Sequence, residues 1–193
     1  MKRPDDIDEF LAELGAEEDL DVAGALALLA GESEGSAALR ERVIAAVRTT
    51  HRWDDLEAKI ASLIDLDLDA TRALLVAIDE RGGWEAGIAE SVELLHFRGG
   101  TAVADAITGF VRIAPGEAFP EHEHVGDESV LVLQGAFRDS SGTLHERGEL
   151  VQRPAGSSHS LVAVGALPLV YLAIVQRGVR IAGELLTPDD PRA

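Results

Sequence analysis

The chain has no cysteine among its 193 residues, which excludes disulfide bonds and thiolate zinc sites. The lack of cysteine suits a reducing compartment. The first residues, Met-Lys-Arg-Pro-Asp-Asp, contain no apolar run of the kind found in signal peptides. No stretch approaches the ~18 consecutive apolar residues of a membrane span. Together these absences predict a cytoplasmic protein with no membrane segment.

Basic residues are also scarce. The chain has 17 Lys and Arg residues and 35 Asp and Glu residues, which gives a net charge of −18. Phosphate groups are repelled by such a chain, so direct binding to nucleic acid or to an anionic membrane is not expected. The sequence contains no G-x-S-x-G motif and no phosphate-binding glycine loop. The common nucleophilic and nucleotide-dependent enzyme classes are therefore not indicated.

Residues 1–83 are rich in Ala and Leu, and their pattern predicts an all-α domain of about five helices. Apolar residues recur at i, i+3, i+4 and i+7 in the first of them, where they are Ile7, Phe10, Leu11 and Leu14. Asp54 is predicted to begin the fourth helix and Asp69 to cap the fifth. Gly82 and Gly83 end the helical pattern. The domain boundary is placed there.

Residues 84–187 have short apolar runs separated by Gly and Pro, which predicts a compact β-barrel. Strands are predicted within 91–97, 102–113, 129–133 and 169–175, the second with an interruption near Gly109. Residues 139–142, Asp-Ser-Ser-Gly, predict a hairpin turn. Residues 188–193 are predicted to form a tail.

Four residues between 116 and 159 predict a metal site. His122, His124 and Glu128 share one parity, so they point to the same side of an extended strand. His159 follows the turn residues 154–156, and a second strand at 151–154 could bring it alongside. Three imidazoles and one carboxylate are a metal-binding donor set.

Two spacings around these residues resemble the paired motifs of the cupin superfamily. The first is Gly116-x5-His122-x-His124-x3-Glu128-x6-Gly135, and the second is Gly148-x5-Pro154-x-Gly156-x2-His159. The second motif usually ends in Asn, where this chain has Ala163. The resemblance implies an RmlC-like jelly-roll β-barrel in which the three histidines and the glutamate bind one metal ion.

A helical region before a single cupin resembles the ChrR-type anti-sigma factors. The resemblance covers about residues 84–180. It includes Trp84, the Gly-Ala-Phe-Arg-Asp segment at 135–139, and Pro-Ala-Gly-Ser-Ser-His at 154–159. It implies a zinc-binding cupin that senses a stress signal, and a helical domain that binds a sigma factor. That family's helical domain also binds zinc through a histidine and a Cys-x-x-Cys pair. This chain has only His51 before the barrel and no cysteine, so it cannot form that second site.

Zinc is the leading candidate for the ion, with iron, manganese and nickel as alternatives. A closed tetrahedral zinc would be structural or sensory, whereas an octahedral metal would leave two positions open for chemistry. The main hypothesis is therefore a metal-binding regulator that acts on transcription through a sigma factor or another protein. The alternatives are a small metal-dependent enzyme, such as a dioxygenase or an isomerase, and a small-ligand binding protein. A homodimer is a further hypothesis, and no catalytic residue is assigned.

The remaining candidates have ordinary structural interpretations. Phe110, Phe119 and Phe137 are expected in the core, with the lining of the metal pocket as a second option. Glu121 and Glu123 have the opposite parity and should face solvent. The other histidines, His51, His96 and His145, are expected at the surface or in ordinary packing.

Overall fold

The structure is a computed structural model that describes residues 52–80, 82–87 and 91–190. Within these residues, two helices precede a β domain, and residues from Asp55 onward form one compact unit. The first three predicted helices, and with them most of the predicted all-α domain, lie outside the described residues. The division predicted at residue 83 and the tail at 188–193 stay predictions. No helix in the described ranges is long and apolar enough to cross a membrane.

The two helices are α1 (Asp54–Ile64) and α2 (Leu68–Asp79). Helix α1 begins at Asp54, as predicted. The cap of α2 is Asp67, whose side chain accepts a hydrogen bond from the Ala70 backbone N–H at 2.8 Å, so the assignment of Asp69 was wrong. An N-cap residue needs an extended backbone, which Asp67 has, with φ −70° and ψ 167°. Asp69 instead lies in the first helical turn.

The β domain contains short strands. Their bounds are β1 (Glu85–Ala86), β2 (Val92–His96), β3 (Ala106–Ile113), β4 (Ala118–His124), β5 (Glu128–Gln134), β6 (Ala136–Asp139), β7 (Leu144–Glu146), β8 (Leu150–Arg153), β9 (Ser158–Val164), β10 (Leu169–Gln176), β11 (Val179–Ile181) and β12 (Glu184–Leu186).

The four predicted strands correspond to β2, β3, β5 and β10. The predicted run 102–113 is interrupted earlier than expected, because Thr101–Val103 forms a 3-10 turn. Gly109 lies inside β3, in regular pairing with Ala173.

The strands form two six-stranded antiparallel sheets, and the predicted closed barrel is not observed among the described residues. Sheet I has the order β1-β2-β3-β10-β5-β8, and sheet II has the order β12-β11-β4-β9-β6-β7. Their inner faces pack together in one core, to which sheet I contributes Val111 and Val130 and sheet II contributes Phe137 and Leu161. The result is a two-layer sandwich.

Gly135 marks one point where the chain passes from sheet I to sheet II, between β5 and β6. Its φ is +71°, a conformation that side-chain-bearing residues rarely adopt. A Cβ atom there would also lie 3.0 Å from the Pro168 carbonyl oxygen. The backbone turn at Gly135 therefore directs the chain from one layer to the other.

Several polar contacts join the two helices to the β domain. The Gly100 N–H donates to the Ile64 carbonyl oxygen at 2.8 Å, at the end of α1. Trp84 Nε1 donates to the Ile78 carbonyl oxygen near the end of α2. Arg147 also forms an ion pair with Asp55 of α1 at 2.7 Å. Both helices therefore belong structurally with the sheets.

Candidate metal centre

Strand β4 carries two of the predicted site residues on its inner side. His122 is 6% exposed and His124 is 1% exposed, whereas Glu121 and Glu123, which alternate with them along the strand, face solvent. This alternation follows from the period of two in an extended strand, as predicted.

The other two residues come from different strands. Glu128 begins β5 in sheet I, and His159 lies on β9 in sheet II, directly opposite His122. From the sequence alone, the strand at 151–154 is expected to position His159. That strand is β8, which pairs with β5 in the other sheet. The turn at 154–156 then carries the chain across to sheet II, so the site depends on both sheets.

The structure brings all four side chains together in a buried cluster. One potential ligand atom from each of His122, His124, Glu128 and His159 lies within 4.8 Å of the others. The Nε2 atoms of His124 and His159 are 3.0 Å apart, and they lie 3.2 and 3.3 Å from Glu128 Oε2. Two atoms bound about 2.1 Å from one ion are separated by about 3.0 Å at a right angle and about 3.4 Å at the tetrahedral angle. The spacing therefore suits a shared ion.

The hydrogen bonds of the cluster also suit an ion. His122 Nδ1 donates to the Pro120 carbonyl oxygen at 2.9 Å, which leaves the Nε2 lone pair of His122 free. Glu128 Oε2 is buried and makes no hydrogen bond with the described residues, although two imidazole nitrogens lie near it. A cation between these atoms would satisfy the oxygen and both nitrogens.

Burial and the contacts within the cluster both act on its protonation. Burial lowers the pKa of His122 to about 4 and also lowers the pKa of His124. For Glu128, burial by itself would raise the pKa, but contact with His159 and the proximity of His124 outweigh it, so the pKa lies below its usual value. Neutral imidazoles with an ionised carboxylate are the protonation states that divalent metals require.

A cavity of about 310 Å³ opens onto the cluster. His122, His124 and Glu128 contribute to its lining. Phe110 and Phe119 also line it, whereas Phe137 packs in the core against His145 and Tyr171.

Sequence reasoning missed two polar residues of this cavity. Tyr171 is buried on β10, and burial together with the charge of Glu128 raises the pKa of its hydroxyl. His96 is predicted from the sequence to lie at the surface or in ordinary packing. It lines the cavity, and its Nδ1 atom is buried without a hydrogen-bond partner among the described residues. The period of two in β2 and β10 could have placed both on the inner face, but only the strand pairing shows that they share a cavity.

A second buried polar cluster surrounds Asp139, which the sequence placed in a hairpin turn. Asp139 Oδ1 accepts hydrogen bonds from the Ser141 and Thr143 backbone N–H groups at 3.0 Å, which builds that turn. Asp139 Oδ2 contacts Arg153 and lies 3.4 Å from His145 Nε2. Burial opposes ionisation of Asp139, but the hydrogen bonds from Ser141 and Arg153 hold its pKa well below the usual range. His145 is thus a packed residue outside the metal cluster.

Comparison with known protein families gives a match over just over half of the chain. The sequence profile described as the ChrR cupin-like domain matches residues 75–174. Among curated proteins, the chain is 31% identical over 87 residues to a protein of Cereibacter sphaeroides named as a candidate dimethylsulfoniopropionate lyase, DddL. That alignment covers 45% of this chain and 37% of the relative's length.

The chain is also similar to solved structures. A chain in the crystal structure of Rhodobacter sphaeroides SigE in complex with the anti-sigma ChrR is 26% identical, with a TM-score of 0.50. The match covers 88% of this chain and 82% of that one. A cupin superfamily protein from Desulfitobacterium hafniense is 20% identical, with a TM-score of 0.39 over 44% of this chain and 76% of that chain.

Proposed function

The chain belongs to the ChrR cupin-like domain family, and on this basis we propose that it is a metal-binding regulator that controls transcription through a protein partner. The observation that carries the proposal is the convergence of three histidines and one glutamate in a buried cluster between two sheets. Such a cluster can report the state of its ion to the rest of the fold, because metal binding and folding are coupled.

The residues that would hold the ion are His122, His124, Glu128 and His159. Zinc is the leading candidate, because three imidazoles and a carboxylate can complete a tetrahedral shell, and iron, manganese and nickel are the alternatives. The ion would supply a positive centre that cross-links the sheets, since Glu128 comes from sheet I and the histidines from sheet II. Loss or change of the ion would then loosen the contact between the two sheets.

The proposed partner is a sigma factor. The similarity to the SigE–ChrR complex extends over 88% of this chain, well beyond the residues of the family profile. The residues before the β domain would form the partner-binding part, and they would do so without a thiolate zinc site because the chain has no cysteine. A cytoplasmic location, where a sigma factor is found, is part of the same proposal.

The test is affinity capture of transcription proteins by the full chain. The tagged protein would be isolated from its source cells, with Glu121→Ala as a matched control and His124→Ala as the metal-site variant. We expect a sigma factor to be enriched with the wild type and with Glu121→Ala. With His124→Ala, the amount of captured sigma factor should differ from that of the wild type. Recovery of no sigma factor and no other transcription protein would overturn the proposed partner.

A second function is favoured by one specific observation, the cavity that opens onto the cluster. A metal reached by a cavity can act on a small molecule, and 87 residues of the chain resemble the candidate lyase. Loss of dimethylsulfoniopropionate and uptake of dioxygen by the metal-loaded protein would test for lyase and dioxygenase activity, respectively. Turnover that disappears in His124→Ala would favour the enzyme over the regulator.

A further inference from the structure

The cavity beside the metal cluster lies where two neighbouring residues in one cross-strand row of sheet I are small. Gly109 on β3 and Ala173 on β10 are cross-strand partners, and both line the cavity. The rows on either side carry larger inward residues, Val175 next to Glu128 and Tyr171 next to Val111. The missing side-chain volume in the middle row therefore makes a defined space between Glu128 and Tyr171.

The size of the space suits a small organic molecule. A cavity of about 150 Å³ holds benzene, and this one measures about 310 Å³. It can therefore hold one ring or a branched chain together with a polar head group. Most of the wall is aliphatic or aromatic, which is typical of ligand pockets.

The charges of the residues that line the cavity determine which head group a ligand can have. Among the described residues that line the cavity, Glu128 is the only one with an acidic or a Lys or Arg side chain. A divalent ion on the three histidines and Glu128 would leave a net charge of about +1 at the inner end of an apolar space, which is costly unless an anion compensates it. The other polar groups of the wall include the Tyr171 hydroxyl, and also His96 Nδ1 and His124 Nδ1, which are buried without a hydrogen-bond partner among the described residues.

We propose that this cavity is a binding site for a small organic monocarboxylate with an uncharged, largely apolar body, whose carboxylate lies at the metal end and whose body lies over the Gly109–Ala173 pair. The site rests on the metal of the proposed function. The proposal adds the chemical class of the signal or substrate that would bind beside this metal. Tyr171 and His96 then accommodate a neutral polar substituent and offer no partner for a second charge.

Phenylacetate is a suitable probe, with 2-phenylethanol and 2-phenylethylamine as neutral and cationic analogues of similar shape. Zinc content of the full chain is measured first by elemental analysis, and binding is then measured by calorimetry. We expect phenylacetate to bind the zinc-loaded protein, and both analogues to bind it about tenfold or more weakly, because they lack the charged contact. The zinc-free protein should not bind phenylacetate, since the ionised Glu128 would repel it.

Two substitutions test the location of the site without touching the metal cluster. Ala173→Leu should fill the cavity and weaken phenylacetate binding by about tenfold or more while zinc content is unchanged. Ala118→Leu adds the same volume at an exposed position of β4 that is not part of the lining, and it should leave binding unaltered. The comparison of the three probes on the wild type remains decisive even if Ala173→Leu folds poorly.

The outcomes separate this inference from the proposed function. A wild-type protein that takes up no zinc overturns the metal site and the carboxylate site together. Zinc uptake without phenylacetate binding overturns only the carboxylate site, as does equal binding of 2-phenylethylamine. Unchanged binding in a folded Ala173→Leu variant also overturns it, because the ligand would then lie outside this cavity.

Discussion

His122 and His159 face each other as cross-strand partners on β4 and β9, with ring centroids 4.4 Å apart. Both belong to sheet II, whereas Glu128 reaches the same point from sheet I. The cluster therefore assembles only when the two sheets pack against each other. A bound ion would stabilise that packing and not merely one hairpin.

Replacing one histidine of the cluster tests the proposed metal site. His124→Ala should weaken zinc affinity by more than about 100-fold, because loss of residues that merely support a metal ligand already costs 10- to 100-fold. The unfolding temperature of the zinc-loaded protein should fall as well, since ion binding and folding are coupled. Elemental analysis and thermal unfolding measure the two effects.

Glu121→Ala is the matched control for this experiment. Glu121 lies on the same strand but faces solvent. Its removal should change neither zinc content nor unfolding temperature. If His124→Ala retained one zinc ion per chain, the assignment of His124 as a ligand would be wrong.

The inner face of β4 could be predicted from the sequence because the alternation of side chains is local. The period of two alone places His122 and His124 on one side, and the motif spacing adds Glu128 and His159. The sheet to which each strand belongs could not be predicted, because strand pairing joins residues far apart in sequence. For this reason neither the pairing of β8 with β5 in sheet I nor the presence of Tyr171 and His96 in one cavity could be predicted.

The cap of α2 shows a similar limit within a local element. Asp67 and Asp69 both precede Leu74, Leu75 and Ile78 of the helix, and both are residue types that favour caps. The choice depends on which of them has the extended backbone, and that residue is Asp67, two positions after the turn at Asp65, whose φ is 55°. The sequence shows the candidates, and the tertiary path of the chain selects between them.

Substitution of the two aspartates would distinguish their roles. Asp67→Ala should lower the free energy of unfolding by about 1 kcal/mol, because the Ala70 N–H loses its acceptor. Asp69→Ala removes only an exposed ion pair with Arg72 at 3.1 Å, and its effect should stay near about 0.5 kcal/mol. Urea unfolding of the two variants measures both values. A larger loss for Asp69→Ala would restore the cap predicted from the sequence.

The crossing between the sheets at Gly135 can be tested with a second pair of variants. Gly135 and Gly142 both have positive φ, +71° and +87°, so alanine at either position costs about 1–2 kcal/mol in backbone strain. Only at Gly135 does the added Cβ also approach a backbone oxygen, that of Pro168. Gly135→Ala should therefore destabilise the protein more than Gly142→Ala in urea unfolding. Equal losses would show that the contact with Pro168 relaxes at no cost.

The Asp139 cluster predicts a dependence of stability on pH. The folded-state pKa of Asp139 lies below its value of about 3.9 in the unfolded chain. Its ionised form therefore stabilises the protein fully above that value, and the contribution is lost as the pH falls through the folded-state pKa. Asp139→Asn should lower the free energy of unfolding by about 2–4 kcal/mol at pH 7, because it leaves the Arg153 guanidinium without its carboxylate partner.

Urea unfolding of the metal-free wild type and of Asp139→Asn, at pH 7 and at several values below 4, would measure this contribution without interference from an ion. The difference between the two proteins should be largest at neutral pH and should shrink as the pH falls, since the wild-type carboxylate is then progressively protonated. Glu149→Gln is the control, because that carboxylate also contacts His145 but is 49% exposed, so solvent screens it and its loss should matter little. A difference that is constant across the whole pH range would mean that Asp139 stabilises the hairpin through its hydrogen-bonding shape and not through its charge.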